Sequence, residues 1–307
     1  MTGRSEVEWP EPPPPADIAK PSTATGPADD AKTFFAAIFS GNAEAYQRRL
    51  DALMQRREAG GRQEVLEAIA ARTGEHILDL ACGPGTLTIP LAGAVGPTGE
   101  VIGVDLADGM LEQARAAVAH RHLAARFLKM DIDVLQFPAG AFDAVTCGHG
   151  LHFVPNLGRV LREARRVLKP KGRFAASVPL GNEPGASAVE DALRVAIDGR
   201  LGDPPQHEAV AATRAVVFDP AKLQAACLAA GFREARARRS EIEEHWTDAA
   251  VYVDAALSWW SVATRLRGLS DHVRALVRTE AIEAVTGVTK GSRFTVPNAS
   301  VVAVALA

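Results

Sequence analysis

The stretch Asp79-Leu80-Ala81-Cys82-Gly83-Pro84-Gly85-Thr86 follows a short apolar run and opens a helical pattern. Gly83 and Gly85 permit a tight turn and let a ligand approach the backbone closely. The helix behind them offers free N–H groups and a positive dipole end, which suits an anionic group. Asp105 ends the next apolar run, 22 positions after Gly83. An acid about 20 residues beyond such a loop is placed to accept hydrogen bonds from ribose hydroxyls. Together these residues imply a ligand that carries a nucleoside. The dinucleotide fingerprint G-x-G-x-x-G needs a third glycine, and Thr88 stands there instead. A Walker loop is excluded because no GK[ST] follows.

These residues are positioned by alternating strands and helices. The pattern predicts strands at 76–81, 100–105, 125–131, 142–148 and 173–179, the last behind a Pro170-Lys171-Gly172 turn. Helices are expected over 86–95, 108–120 with Asp108 as its cap, and 156–168. Such alternation implies a parallel sheet covered on both faces. Further on, a helix is expected over 219–232, an outer strand over 234–246, helices over 247–267 and 271–286 with Thr247 and Asp271 as caps, and a strand over 294–307. Before the sheet, helices within 31–58 break at Ser40-Gly41-Asn42. Gly60-Gly61 closes them, and another helix covers 62–72. This divides the chain into a disordered Pro-rich tail (1–30), an N-terminal helical cap (31–61) and a core (62–180, 219–246 and 294–307). Two lid insertions, 181–218 and 247–293, lie at the carboxyl edge of the sheet, where ligands of open α/β sheets bind.

Composition narrows the function. Of 307 residues, 47% are hydrophobic and 23% charged, with net charge −3, which argues against a dedicated nucleic-acid binder. Arg48, Arg49, Arg56, Arg57 and Arg62 read as a solvated helix face. Cys82, Cys147 and Cys227 form no CxxC pair, which suits a reducing, cytoplasmic compartment. No run of about 18 apolar residues predicts a membrane span, and the N-terminus has acids and prolines where a signal peptide needs an apolar run. The histidines show no metal-ligand spacing.

The segments ILDLACGPGTLTIPLA, VIGVDLADGMLEQAR and FDAVTCGHGLHFVPNLGRVLREARRVLKPKGRFAASVP resemble the class I S-adenosylmethionine-dependent methyltransferases. The flavour is that of the ubiquinone and menaquinone biosynthesis enzymes and many natural-product methyltransferases, over about residues 62–180. The resemblance implies an α/β, Rossmann-like, doubly wound and mostly parallel seven-stranded sheet. It implies S-adenosylmethionine as cofactor, with S-adenosylhomocysteine as product. By position, Gly83 and Gly85 would flank the methionine part and Asp79 would anchor its amino group. Asp105 would hold the ribose, with Leu106 and Met110 against the adenine. Asp131 would accept from the adenine amine beside Ile132. The cofactor set also takes in Ala81, Cys82 and Cys147, and Tyr46 is open between closing over the cofactor from the N-terminal helices and a plain core position.

A sulfonium is already a strong electrophile, so orientation and desolvation can supply up to about 7–11 kcal/mol. A base is needed only when the nucleophile keeps a proton. His149 and His152, in CGHGLHF past the fourth strand, are the candidates. His149 is open between catalysis and structure, and His152 leans to structure. Trp246, Trp259 and Trp260 would line an apolar acceptor pocket, with at least one of them expected only to pack the cap helices, while Glu241, Glu243 and Glu244 would face solvent. Asp131 and Asp133 alone establish no metal site. The expected reaction is methylation of carbon, oxygen or nitrogen on a small, largely apolar acceptor of natural-product or isoprenoid/quinone type. An RNA or protein methyltransferase would show a basic open cleft or an NPPY-type motif. An enzyme using the same cofactor for cyclisation is not separated from this reading. The tail and the apolar N-terminal helices are compatible with a homodimer.

Overall fold

A computed structural model describes residues 26–307 except 120, 122, 182, 183, 205 and 206. The tail expected over 1–30 lies outside the described residues up to position 25. Its last four residues are instead the first turn of α1 (Pro27–Ser40), with Pro27 at the helix start and Asp29 and Asp30 favouring the positive dipole end. The other helices are α2 (Ala43–Gln55), α3 (Gly61–Ile69), α4 (Thr88–Val95), α5 (Asp108–Val118), α6 (Leu157–Val167), α7 (Ala188–Leu201), α8 (Ala211–Val217), α9 (Pro220–Ala229), α10 (Ala249–Leu257), α11 (Trp260–Leu266) and α12 (Asp271–Thr289). The strands are β1 (His76–Leu80), β2 (Glu100–Asp105), β3 (Ala125–Lys129), β4 (Phe142–Gly148), β5 (Leu168–Leu180), β6 (Glu234–Trp246) and β7 (Phe294–Leu306).

The strands form one seven-stranded sheet in the order β3-β2-β1-β4-β5-β7-β6. β1 to β5 run parallel, and β7 is antiparallel to both β5 and β6. Ile77, Leu78 and Leu80 of β1 are fully buried, because helices cover both faces. Strand order reverses between β1 and β4, which opens a crevice beyond their carboxyl ends. Below it, α6 buries Leu157, Val160, Leu161, Ala164 and Val167 as one stripe, and the Asn156 side chain accepts from Arg159 N–H at its start.

A second hydrophobic core lies above the sheet edge. Leu53 of α2, Leu193 and Ile197 of α7, Tyr252 and Val253 of α10, and Val277, Ala281 and Val285 of α12 pack together there. The β6–β7 ribbon reaches it, since its pairing runs from Glu234↔Leu306 to Trp246↔Phe294. The N-terminal helices close on the sheet through α5. A Cβ built on Gly109 would lie 2.4 Å from the Ser40 carbonyl oxygen, so α1 sits here only because residue 109 has no side chain.

Several local expectations are corrected. Asp108 is not the cap of α5; Ala107 is, and the Asp108 carboxylate pairs with Lys129 at 2.7 Å. Asp248 and Ser270, rather than Thr247 and Asp271, cap α10 and α12, each accepting from the N–H three residues on. The helix expected over 247–267 divides at Ser258-Trp259, where Trp259 is extended (φ −63°, ψ 139°). α3 stops at Ile69 on a left-handed Ala70. Pro170-Lys171-Gly172 does not separate two elements. It forms an irregularity inside β5, between the pairs Phe142↔Leu168 and Ala144↔Arg173. Glu244 does not face solvent: it is 3% exposed, because it shares the inward side of β6 with Trp246. Arg62 is also buried, at 7% exposure, rather than on a solvated face.

Candidate active site

Two adjoining cavities open where β1, β2 and β4 end. The first is lined by Asp79, Ala81, Cys82, Gly83, Asp105, Leu106, Met110, Asp131, Ile132 and Tyr46 among the expected residues. Gly83 has φ +55°, and nothing lies within 4 Å of where its Cβ would be, so its backbone faces open space. Gly85 does different work. It has φ +86°, and a Cβ would lie 3.2 Å from Ile89 and Phe127, so it serves the turn and the packing of α4. Cys147 is fully buried and lies outside the lining; its sulfur would sit 2.8 Å from a Cβ on Gly150. Ala81 and His149, past the ends of β1 and β4, hold left-handed backbones at φ 50° and 61°, a strained conformation for non-glycine residues.

The carboxylates are pre-set. Asp105 accepts from Gly83 N–H and Ala107 N–H, both at 2.9 Å, which ties the glycine loop to the end of β2. Each oxygen keeps a lone pair for a hydroxyl donor. Asp79 is 1% exposed and accepts from Thr88 Oγ1 at 2.6 Å and Thr146 Oγ1 at 2.8 Å. Burial pushes its carboxyl up to about 6, against the two hydroxyl bonds, and the Asp105 charge adds to the rise. A cationic amine beside it would reverse that cost. Asp131 is already engaged: Lys32 of α1 lies 2.7 Å from it and 2.6 Å from Asp133. Burial raises the Asp133 carboxyl while Lys32 lowers it. Sequence reading missed Lys32, since nothing near position 32 signals a partner about 100 residues away.

A second unforeseen residue is Arg62. Its guanidinium bridges Tyr46 Oη at 2.8 Å and His149 Nδ1 at 2.7 Å. Arg62 can only donate, so His149 Nδ1 must accept and the ring proton sits on Nε2, 3.5 Å from Ser300 Oγ. Burial first, then the Arg62 charge, hold the His149 imidazole well below its ordinary value. The lone pair on Nδ1 is therefore engaged by Arg62. His152 is buried too, and burial and Arg214 keep it neutral, but its Nδ1 has no partner among the described residues. Of the two histidines, His149 is held by Arg62, and His152 is the one whose ring nitrogen is unengaged among the described residues.

The second cavity shares Phe39, Tyr46, Leu50, Arg62, His149 and Phe153 with the first. Trp259 and Trp260 line it. Trp246 does not. It packs on Tyr252 at 5.2 Å with Arg56 over its ring at 5.1 Å, inside the core formed by α2, α7, α10 and α12. The lining is also less apolar than expected, since Arg49, Arg214, Glu190, Glu244 and His152 all contribute. Among the described residues, no cluster of three or more His, Cys, Asp or Glu could hold a metal, and no helix is long and apolar enough to cross a membrane.

Comparison with known proteins agrees with this geometry. Residues 77–172 match the family model of a methyltransferase domain. Nocamycin O-methyltransferase of Saccharothrix syringae is 31% identical over 246 residues, covering 76% of this chain and 85% of that protein. A demethylmenaquinone methyltransferase of Symbiobacterium thermophilum is 42% identical over 144 residues, 45% of this chain and 55% of that protein. The chain thus spans about half the length of the menaquinone relatives it matches. The crystal structure of the YcgJ protein from Bacillus subtilis shares the fold, with TM-score 0.50 at 17% identity over 80% of this chain and 97% of that one. The open backbone at Gly83, the two pre-set carboxylates and the similarity along most of the chain converge: it belongs to the class I S-adenosylmethionine-dependent methyltransferases, and S-adenosylmethionine is its cofactor.

Proposed function

We propose that the first cavity holds the cofactor, that the second holds a small-molecule acceptor, and that the methyl group passes between them to an oxygen atom. The observation that carries this is the common wall: six residues, Arg62 and His149 among them, line both cavities. When bound, S-adenosylmethionine supplies an electrophilic methyl group. On the protein side, Asp79 would hold an ammonium, Asp105 a pair of ribose hydroxyls, and Asp131, shared with Lys32, the adenine edge. Phe35, Phe39, Phe153 and Trp260 form a run of edge-to-face and tilted ring contacts at 4.9–5.7 Å along the α1 side, which keeps water from the transfer path. Neutral His152 would take the proton of an acceptor that still carries one. Oxygen as the acceptor atom is supported by the similarity to nocamycin O-methyltransferase, which covers 76% of this chain, and by the polar lining of the second cavity.

The test is calorimetric titration of S-adenosylhomocysteine into wild type, Asp105→Ala and Trp259→Ala, followed by transfer assays with labelled donor on hydroxylated aromatic acceptors. Asp105→Ala is expected to lose at least tenfold in affinity. Trp259→Ala is expected to keep cofactor affinity and lose transfer. If Trp259→Ala leaves transfer unchanged, the second cavity is not where the acceptor binds.

A further inference from the structure

Several residues that line the second cavity carry buried hydrogen-bonding atoms without a partner among the described residues. Arg49 Nε, Arg214 Nη2, Trp259 Nε1, Tyr252 Oη and His152 Nδ1 are buried, belong to residues that line it, and have no partner among the described residues. The first three can only donate. No carboxylate oxygen of this wall is left without a partner in the same way. These atoms are enclosed rather than open to the cavity, but they show that its wall is built from donor-bearing side chains, Arg49 and Arg214 among them.

Charge points the same way. Arg49 lies over the Trp259 ring at 5.1 Å and Arg214 over the Trp260 ring at 5.3 Å, so two successive tryptophans each fix a guanidinium by its face. With Arg62, three guanidinium groups line the cavity against the carboxylates of Glu190 and Glu244. Glu244 accepts from Asn298 Nδ2, and its charge acts on Arg49 without a direct ion pair among the described residues. Arg214 spends one N–H on the His152 carbonyl at 3.3 Å and pairs with no acid among the described residues. Planar guanidinium forks beside aromatic faces suit a flat molecule that carries a carboxylate or an acidic enol.

We infer that the acceptor is an anionic oxyacid, an aromatic or conjugated carboxylate or enolate, held by Arg49 and Arg214 with its ring system against Trp259 and Trp260. This rests on the two-cavity reading above and specifies its substrate class. For such an acceptor the transfer needs no base. An O–C bond forms to the acceptor oxygen as the sulfonium S–C bond breaks, the bonding electrons stay on sulfur, and the negative and positive charges cancel in a neutral ester or enol ether and a thioether. His152 is then a hydrogen-bonding group rather than a proton acceptor.

The experiment is calorimetric titration of the full chain, loaded with S-adenosylhomocysteine, with 2-naphthoate and with two neutral analogues of the same shape, 2-naphthamide and methyl 2-naphthoate. The carboxylate is expected to bind at least tenfold more tightly than either neutral probe. Arg214→Gln and Arg49→Gln are each expected to erase most of that preference, and their S-adenosylhomocysteine affinity reports whether they are folded. Equal binding of acid and amide, or no binding of the acid, by a protein that does bind S-adenosylhomocysteine overturns the anionic acceptor. Failure to bind S-adenosylhomocysteine at all overturns the cavity assignment on which it rests.

Discussion

Replacing Asp79 by Asn separates what the buried carboxylate costs the fold from what it does for the ligand. The side chain is 1% exposed, and its carboxyl is pushed from 3.8 up to about 6. Its folded value is raised above its unfolded one, so the folded state favours the protonated acid. Stability from this group is therefore full below about pH 4 and is lost as pH rises through about 6. A rise of about two pKa units corresponds to about 3 kcal/mol against folding at pH 7.5. Asparagine keeps the shape: Thr146 still donates to its oxygen, and the Thr88 hydroxyl can turn to accept from its amide. The variant without ligand should be more stable than wild type at pH 7.5 by up to about 3 kcal/mol, the gap closing towards pH 4. Ligand binding should move the other way. A hydrogen bond to a charged partner contributes about 1.5–3 kcal/mol, so S-adenosylhomocysteine should bind roughly 10- to 150-fold more weakly to Asp79→Asn. In wild type its affinity should fall about tenfold per unit below pH 6, and in the variant that slope should vanish. Urea denaturation from pH 4 to 7.5 and calorimetric titration over the same range read both effects. A variant less stable than wild type at pH 7.5, or one that binds S-adenosylhomocysteine within threefold of wild type, refutes the reasoning.

Gly109→Ala should lift α1 from α5, because the new Cβ meets the Ser40 backbone at 2.4 Å. S-adenosylhomocysteine affinity should then fall at least tenfold while cleavage by limiting protease between positions 26 and 60 accelerates, and unchanged proteolysis counts against the docking argument. Phe35→Ala removes a side chain 4% exposed and in contact with Phe34, Phe153 and Trp260. It should cost about 3–5 kcal/mol in urea denaturation at pH 7.5. Arg62→Met leaves His149 buried but removes the charge that also lowers it and frees Nδ1. The imidazole should titrate at higher pH than in wild type by NMR, and an unchanged titration would show that burial alone sets it.

How much of this was legible in the sequence depends on how local the cause is. The strands from β1 to β5 were readable because each apolar run is bounded by its own turn residues, and the glycine loop with Asp105 announced the cofactor crevice within 27 residues, Asp79 to Asp105. The reading of Glu244 failed although the signal was present. Ile242, Glu244 and Trp246 share one side of β6 by strand alternation, and an aromatic at the end of that row marks the side as inward. The acidic neighbours Glu241 and Glu243 masked it. Arg62 and Lys32 had no such local signal, since their partners lie 87 and 99 positions away and meet them only once the N-terminal helices fold over the sheet. The caps at Asp248 and Ser270 were each missed by one residue. Neighbouring Thr247 and Asp271 are equally good cap types, and only the backbone geometry chooses between them.

The histidines show why the acceptor half resists sequence reading more than the cofactor half. His149 and His152 sit three residues apart in one glycine-bounded loop, and neither residue type nor spacing ranks them. What ranks them is which nitrogen a distant arginine occupies: Arg62 claims Nδ1 of His149, while Arg214 binds only the backbone carbonyl of His152 and leaves its ring unengaged. The same holds for the whole second cavity. Arg49, Glu190, Arg214, Glu244 and Trp259 come from α2, α7, α8, β6 and the start of α11, five segments with no shared motif. The cofactor loop and Asp105, by contrast, are held by two adjacent strand ends and by hydrogen bonds between them. Changes confined to those five segments can therefore alter acceptor charge and shape without moving the glycine loop. With the acceptor in the second cavity, as proposed, acceptor choice in this protein is physically separable from cofactor binding.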